Sequence, residues 1–181
     1  MKESFFDKIS SEWWDKNGPM KMLHSMNETR MLFIKERIIN KYQKLGSLKK
    51  ILEKKLILDL GCGGGILSET LAEQGANIVA IDQSKKLINE AKKRAKSKKL
   101  KIDYQCQSIK SLKAKNTKFD IILCMEVIEH VQDYKSFIKL AFECLKKDGI
   151  IIFSTINKSF LSYLTTIFIA EKVLKLVPSK T

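Results

Sequence analysis

The chain has 181 residues, 44% of them hydrophobic, and a formal net charge of +14 at pH 7, which suits one domain with a buried core and leaves no room for a second. Its four widely spaced cysteines contain no CxxC pair, which argues against a zinc site or a disulfide framework and favours reduced thiols in a cytoplasmic protein. Because there is no basic-then-apolar leader and no apolar run of roughly 18 residues, we expect neither secretion nor membrane insertion.

Residues 1–53 are predicted to form an N-terminal helical lid. Trp13 and Trp14 are adjacent, and a turn-like Asn17-Gly18-Pro19 follows them. Since neighbouring residues cannot share one helix face, at least one tryptophan should pack outside its own helix. The pair could either staple this segment to the core or cover a cofactor or substrate. Helical spacing of apolar residues then predicts a helix over 24–45.

The stretch 56–67 predicts a strand, a glycine turn and the start of a helix. A short apolar run bounded by glycine is typical of a fully buried strand. Gly61, Gly63 and Gly65 let the backbone turn without a Cβ, so a nucleotide-like ligand can lie against the main chain at the helix N-terminus. A dinucleotide fingerprint would instead require glycine at Ile66.

The glycine spacing, with Asp59 two residues before Gly61, resembles the first motif of class I S-adenosylmethionine-dependent methyltransferases. In that motif the glycines pass under the methionine and ribose parts of the cofactor. A second buried strand over 77–82 ends in Asp82, which is placed to accept hydrogen bonds from both ribose hydroxyls. The alternative is a plain strand-turn-helix unit with a capping aspartate.

From residue 54 onward, strand and helix patterns alternate without a break. Strands are predicted at about 55–60, 77–82, 101–106, 119–124 and 149–155, and helices near 65–74, 84–97 and 133–146. Such alternation predicts an α/β fold with a doubly wound, mostly parallel sheet over 54–157. Ligands should bind at the carboxyl ends of its strands.

The positive charge is densest over 84–101, where lysines and Arg94 face only Glu90. Nucleic-acid binding is one interpretation. Almost all of the charge is lysine, however, whereas phosphate and base recognition favour the arginine fork. A solvated helix face explains the charge better, which argues against nucleic acid, and the cluster could equally favour an anionic membrane surface.

The predicted fourth strand runs directly into Glu126, Glu129 and His130. Its end faces the same crevice as Gly61 and Asp82, so these side chains arrive where a substrate must lie. Two carboxylates and an imidazole could bind a hard divalent ion or relay a proton. Alternatively, the glutamates cap the next segment and the histidine fills a gap in the turn.

The last helix-like stretch, 158–177, is apolar with lysines at its ends and flanks. It is too short and too polar to span a bilayer. Such an amphipathic helix could lie in a membrane interface, in the core or on a dimer partner.

Over nearly its whole length the sequence resembles the ubiquinone-biosynthesis O-methyltransferases, which methylate phenolic hydroxyls of polyprenylated catechol intermediates. The glycine motif is common to many methyltransferases, whereas the other shared elements are narrower. The segments that carry the resemblance are Trp13-Trp14-Asp15, Leu23-His24 with Asn27 and Arg30, the stretch 58–67, Cys124-Met125-Glu126 with Glu129-His130-Val131, and Phe153-Ser154-Thr155 with Asn157.

The resemblance implies S-adenosylmethionine as cofactor and a site built from several parts of the chain. The positions that match its cofactor contacts are Arg30, Gly61, Asp82 and Met125, and Gly63 and Gly65 complete the glycine turn. Glu126, Glu129 and His130 match a set that binds Mg2+ or another divalent cation, and Glu126 and His130 are the candidate catalytic residues. A cation there would favour the reactive phenolate by offsetting its charge.

The resemblance also implies where the protein works. Its substrate would be a polyprenylated phenol, and its partners would include other ubiquinone-biosynthesis proteins. Residues 158–177 match a segment linked to membrane association. We therefore expect a cytoplasmic protein that is peripherally attached to the inner face of the membrane.

One departure concerns the end of the chain. Family members continue for several tens of residues and add two strands after the fifth, whereas this chain ends at Thr181. The fifth strand is then expected to have an exposed apolar edge. Alternatives to an active enzyme are a non-catalytic remnant and one part of a split enzyme. An RNA methyltransferase is disfavoured, because no Asn/Asp-Pro-Pro-aromatic turn follows the fourth strand.

Overall fold

The computed structural model describes residues 5–155. Five parallel strands form one sheet: β1 Leu56–Leu60, β2 Asn77–Asp82, β3 Asp103–Cys106, β4 Phe119–Met125 and β5 Leu145–Ser154. Their order is β3-β2-β1-β4-β5, and the direction of winding reverses between β1 and β4. The predicted doubly wound α/β fold is confirmed, and a ligand crevice is expected beyond the carboxyl ends of β1 and β4.

Seven helices accompany the sheet within the described residues. They are α1 Phe5–Lys8, α2 Lys21–Tyr42, α3 Leu48–Lys54, α4 Ile66–Ala72, α5 Lys85–Ser97, α6 Ile109–Lys113 and α7 Tyr134–Glu143. The four predicted helices within this range are confirmed. The sequence did not predict the bounds of α1, α3 and α6, because four to seven residues are too few to establish a helical period.

Both faces of the sheet are covered, and this explains the continuous apolar runs of the central strands. Successive residues of β1 alternate between the two layers: Ile57 packs with α2 to α5, and Leu58 packs with α6 and α7. In β4, Ile121 and Ile122 divide in the same way. All four side chains are fully buried.

The fifth strand begins earlier than predicted, at Leu145 rather than near 149, and α7 ends at Glu143 instead of continuing to 146. Leu145 pairs with Phe119, and the register then shifts before the regular pairing resumes further along β4. Within the shifted stretch, Lys146 donates to a carboxylate oxygen of Asp120 at 2.7 Å. Polar contacts therefore hold this part of the strand, which an apolar pattern cannot reveal.

The N-terminal segment, residues 5–20, packs across the starts of α4 and α5. Its Ile9, Trp13 and Met20 form a separate buried cluster with Ile66 of α4 and Leu87 of α5. This contact confirms that a tryptophan packs outside its own helix. The segment lies at the carboxyl edge of the sheet, since both helices begin there.

Two further predictions concern the C-terminal helix and the absence of a membrane-spanning helix. The predicted helix over 158–177 lies outside the described residues. Between residues 5 and 155, no helix has both the length and the apolar character needed to cross a membrane.

Candidate functional site

The loop between β1 and α4 is a tight glycine turn tied to β2. The backbone N–H groups of Gly61 and Cys62 both donate to the Ile81 carbonyl, at 2.8 and 3.0 Å. Gly61, Gly63 and Gly65 have φ values of +80°, +54° and +89°, which residues with a Cβ rarely adopt. The predicted turn is therefore present, and its shape requires glycine.

Side chains from elsewhere pack directly on the main chain of this loop. A Cβ on Gly61 would overlap Val127, and one on Gly65 would overlap the Tyr104 hydroxyl. At Gly63, a Cβ would lie 2.5 Å from the Trp13 ring. The missing side chains thus let Val127, Trp13 and Tyr104 pack against the loop backbone. The binding of a nucleotide-like ligand on this backbone stays a prediction.

Asp82 fixes the glycine loop from the end of β2. Its Oδ2 accepts from the Gly63 N–H at 3.0 Å and its Oδ1 accepts from the Ser84 N–H at 2.8 Å. Burial raises the pKa of this carboxyl, although the backbone donors oppose the shift. An ionised carboxylate has about four acceptor positions, so each oxygen has acceptor capacity left, and the contact with a ribose diol stays a prediction.

Asp59 lies under the loop, 2% exposed. Its Oδ2 accepts from the Ser68 hydroxyl at 2.5 Å, which links β1 to α4. Burial raises its pKa to about 6, while the Ser68 hydrogen bond and the positive charge of Arg30 act in the opposite direction. Asp59 therefore supports the loop from beneath.

Glu126 follows β4 directly and has an unusual environment. Its φ of +56° is sterically unfavourable for a residue with a Cβ, and such strain clusters at functional sites. Its Oε1 accepts from the Ser154 hydroxyl at 2.6 Å and from Arg30 Nη2 at 3.2 Å. The side chains of Arg30 and Glu126 are each only 10% exposed. Oε2 is buried and has no hydrogen-bond partner.

Met125 lies at the end of β4, 9% exposed. The Ser154 hydroxyl lies 3.1 Å from its sulfur. Hence the structure brings Arg30, Met125 and Glu126 together, although α2 and β4 are far apart in the chain. The role of Ser154 was missed by sequence reasoning, because nothing in the sequence indicates that the ends of β4 and β5 meet.

Glu129 and His130 lie in a short 3-10 turn after β4. Glu129 Oε2 accepts from the Thr155 hydroxyl at 3.0 Å, and the exposed His130 ring contacts Phe6 edge-on, with centroids 5.2 Å apart. In residues 5–155, no three or more His, Cys, Asp and Glu side chains are grouped to hold a metal ion. As observed, these side chains are not grouped around a common cation position. The binding of a divalent ion by Glu126, Glu129 and His130 stays a prediction.

Two tryptophans join the N-terminal segment to the site. Trp13, 6% exposed, covers Gly63 and Gly64, and its carbonyl lies 2.9 Å from His24 Nε2. The Arg94 guanidinium lies 3.7 Å from the centre of the Trp14 ring. The indole N–H groups of both tryptophans are buried without a hydrogen-bond partner. The buried packing of Trp13 is that of a staple to the core, and the role of the segment as a lid stays a prediction.

Ser84 and Asn27 are further side chains near the site to which the sequence assigned no role. The Ser84 hydroxyl accepts from the Leu87 N–H at 3.2 Å and donates to Asp7 Oδ1 at 2.5 Å. Asn27 Nδ2 donates to the Thr70 hydroxyl at 3.0 Å. A serine immediately before a helix is an N-cap signal, so the first role of Ser84 was predictable and its contact with α1 was not.

The fold and the glycine-loop site define the class of protein. A family model described as "Methyltransferase domain" matches residues 58–153. An S-adenosylmethionine-dependent methyltransferase from Clostridium acetobutylicum is 28% identical, with a TM-score of 0.54 over 75% of this chain and 60% of that one. The plantazolicin methyltransferase BpumL, solved with SAH, is 21% identical with a TM-score of 0.62 over 96% of this chain and 58% of that one, and it shows the fold alone. The chain is a class I S-adenosylmethionine-dependent methyltransferase, which confirms the predicted cofactor.

The curated relatives identify the family within that class. The ubiquinone biosynthesis O-methyltransferase of Pelagibacter ubique is 49% identical over 97% of this chain and 72% of its own length. That of Coxiella burnetii is 42% identical over 97% of this chain and 70% of its own length. The chain belongs to the ubiquinone biosynthesis O-methyltransferase family, as the sequence resemblance indicated.

Proposed function

We propose that this protein transfers the methyl group of S-adenosylmethionine to a phenolic hydroxyl of a polyprenylated catechol intermediate. The observation that carries the proposal is the Gly61–Gly65 turn, which Asp82 fixes through the Gly63 N–H at 3.0 Å. The bound cofactor would supply an electrophilic methyl group on a sulfonium centre. The protein would supply binding, orientation and a proton acceptor.

The glycine loop would bind the cofactor along its backbone. Asp82 would accept hydrogen bonds from the ribose hydroxyls while it holds the loop in place. Arg30 and Met125 would contact the methionine part, since both lie at the carboxyl ends of the central strands. Trp13 would exclude water from above the loop, which strengthens the electrostatic interactions beneath it.

The acceptor phenol must lose its proton, because a neutral phenol with a pKa of about 10 is a poor nucleophile. We assign this proton to His130, whose exposed ring lies in the turn after β4. Glu126 already accepts from Arg30 and Ser154, so we assign it a positioning role in the same crevice. Precise alignment of the phenolate with the methyl group would provide much of the remaining acceleration.

Calorimetry with S-adenosylhomocysteine tests the cofactor site. We expect the protein to bind it and Asp82→Ala to bind at least about tenfold more weakly, since the variant loses the ribose acceptor and loosens the loop. Asp103→Ala is the matched control, because this exposed aspartate starts β3 at the opposite edge of the sheet. Absence of binding by the parent, or equal binding by Asp82→Ala, would contradict the proposal.

An assay with a short-chain prenylated catechol tests the reaction itself. An active enzyme should yield S-adenosylhomocysteine and an O-methylated product, both detectable by mass spectrometry. Binding of the cofactor without product would contradict the proposed reaction and leave the cofactor site intact.

We further propose that the protein attaches peripherally to an anionic membrane surface, where a polyprenylated substrate resides. The apolar residues and flanking lysines of 158–177 support this proposal by their composition. Exposed lysines of α5 at the carboxyl edge of the sheet add positive charge near the site. Each basic residue near such a surface contributes roughly 1 kcal/mol.

A further inference from the structure

One oxygen of the Glu126 carboxyl group is hydrogen-bonded, and the other has no hydrogen-bond partner. Ser154 and Arg30 both donate to Oε1, whereas Oε2 is buried and accepts no hydrogen bond. Buried polar atoms are almost always hydrogen-bonded, and an exception calls for an explanation such as a missing ligand. The strained backbone at Glu126, with φ of +56°, adds a second unfavourable feature at the same residue.

The surroundings hold this carboxyl group in one orientation. The Glu126 N–H donates to the Ser154 carbonyl at 3.1 Å, and the Ser154 hydroxyl donates back to Oε1 at 2.6 Å. Rotating the side chain would break the second bond and the ion pair with Arg30. The end of β5 and the middle of α2 therefore fix which oxygen is left without a partner.

Glu126 also adjoins the first glycine of the loop. β1 and β4 are paired with Asp59 beside Leu123, so the residues that follow the two strands continue side by side. Contact between Gly61 and Val127 confirms this, since a Cβ on the glycine would overlap the valine side chain. Glu126 thus lies next to the place where the glycine loop leaves the sheet.

Opposite charges lie together here. Arg30 Nη2 and Glu126 Oε1 are 3.2 Å apart, and each side chain is nine-tenths buried. An amino acid carries one ammonium group and one carboxylate on the same carbon atom. A buried guanidinium beside a carboxylate with a free oxygen is complementary to that pair of charges.

We infer that Glu126 Oε2 accepts a hydrogen bond from the α-ammonium group at the amino-acid end of the cofactor, beside Arg30, which faces the α-carboxylate. The inference rests on the proposed function and assigns Glu126 a recognition role. Ser154 is then a positioning residue, because it acts only through the orientation of Glu126.

Two ligands that differ at one group test the inference. S-Adenosylhomocysteine carries the α-ammonium group, and 4-(5'-adenosylthio)butyrate has hydrogen in its place. By calorimetry in EDTA, the parent should prefer the first ligand by at least about tenfold, the range of a charge-assisted hydrogen bond. Glu126→Gln should weaken the binding of S-adenosylhomocysteine by a similar factor and should change the affinity for the deamino ligand by less than about threefold. The variant should therefore no longer prefer S-adenosylhomocysteine.

Glu143→Gln is the matched control, since Glu143 is also paired with a basic side chain, that of Lys113, but lies at the far end of α7. It should leave both affinities unchanged. If Glu126→Gln loses the same factor of affinity for both ligands, the inference is overturned and the proposed function stays intact. A Glu126→Gln effect that appears only with added Mg2+ and vanishes in EDTA would also overturn it.

The parent alone provides a second test that does not depend on folding of the variant. Equal affinity of the parent for the two ligands would overturn the inference, because no group would then recognise the ammonium. Failure of the parent to bind S-adenosylhomocysteine at all would instead overturn the proposed function and this inference with it.

Discussion

Asp59 shows how a single buried carboxyl group can make the stability of this protein depend on pH. It is 2% exposed, and its charge has little compensation apart from the Ser68 hydroxyl at 2.5 Å and the more distant Arg30. Burial raises its pKa to about 6, above the value near 3.9 of an unfolded aspartate. Between these values the folded state binds the proton more tightly, so stability from this group falls as pH rises.

Asp59→Asn should remove this dependence while its amide oxygen still accepts from Ser68. Between about pH 4 and pH 7, the free energy of unfolding of the variant relative to the parent should rise by up to about 3 kcal/mol. Urea denaturation at a series of pH values measures the difference. Asp103→Asn, at an exposed position, corrects for the loss of one carboxyl group. A difference that stays constant across this range would show that Asp59 has no raised pKa.

At the scale of elements, Ser84 joins α5 to the N-terminal segment. It caps α5 through the Leu87 N–H and donates to Asp7 of α1. Ser84→Ala should therefore lose an N-cap worth about 1 kcal/mol together with a bond between elements worth about 1 kcal/mol. The unfolding free energy should drop by about 1–2 kcal/mol, and proteolysis near residues 5–20 should accelerate.

Ser108→Ala is the matched control for this prediction. Ser108 caps α6 by accepting from the Ser111 N–H at 3.2 Å, and its hydroxyl also contacts Ser111 Oγ within the same helix. Ser108→Ala should lower the unfolding free energy only by the contribution of the cap, and proteolysis near residues 5–20 should not change. Equal cleavage of the two variants would argue against a link between Ser84 and the N-terminal segment.

The sequence predicted elements well where burial alone decides them. β1 and β4 are buried on both faces, so their apolar runs were visible. The position of Asp82 at the end of β2, beside the glycine turn, was also predicted, and its carboxylate accepts from the Gly63 N–H. Its contact with a ribose stays a prediction. Arg30 and Glu126 could not be paired from sequence, since 96 residues separate them. Nor could the available oxygen of Glu126 be predicted, because it depends on how β4 and β5 end together.

At the scale of the whole molecule, the net charge of +14 has to be weighed against the ion pairs of the described residues. Lys98 pairs with Glu69 and Glu73, and Lys93 pairs with Glu90. Part of the dense lysine cluster over 84–101 is thus compensated locally, which supports a solvated face rather than a nucleic-acid groove. The remaining lysines carry the charge on which the proposed contact with anionic lipid depends.

Co-sedimentation with anionic vesicles tests the membrane proposal. The protein should bind vesicles that contain phosphatidylglycerol, and added salt should weaken binding because it screens the charges. Changing Leu164, Ile167 and Phe168 together to glutamate should largely abolish binding, since each buried apolar side chain contributes about 1.5–3 kcal/mol. Replacement of Lys49, Lys50 and Lys54 of α3 by glutamate is the control. It also lowers the net charge, but at a different place in the chain. Vesicle binding by the apolar variant equal to that of the parent would contradict the proposal.

The strand order β3-β2-β1-β4-β5 also determines when the sheet can be completed during synthesis. A chain that emerges from its N-terminus can pair β1 with β2 and β3 first, and the apolar β1 then stays at an open edge. Only after Met125 has left the ribosome can β4 cover that edge, and only then can Glu126 reach Arg30. Until β4 has emerged, the nascent chain therefore exposes an apolar strand edge to misassembly.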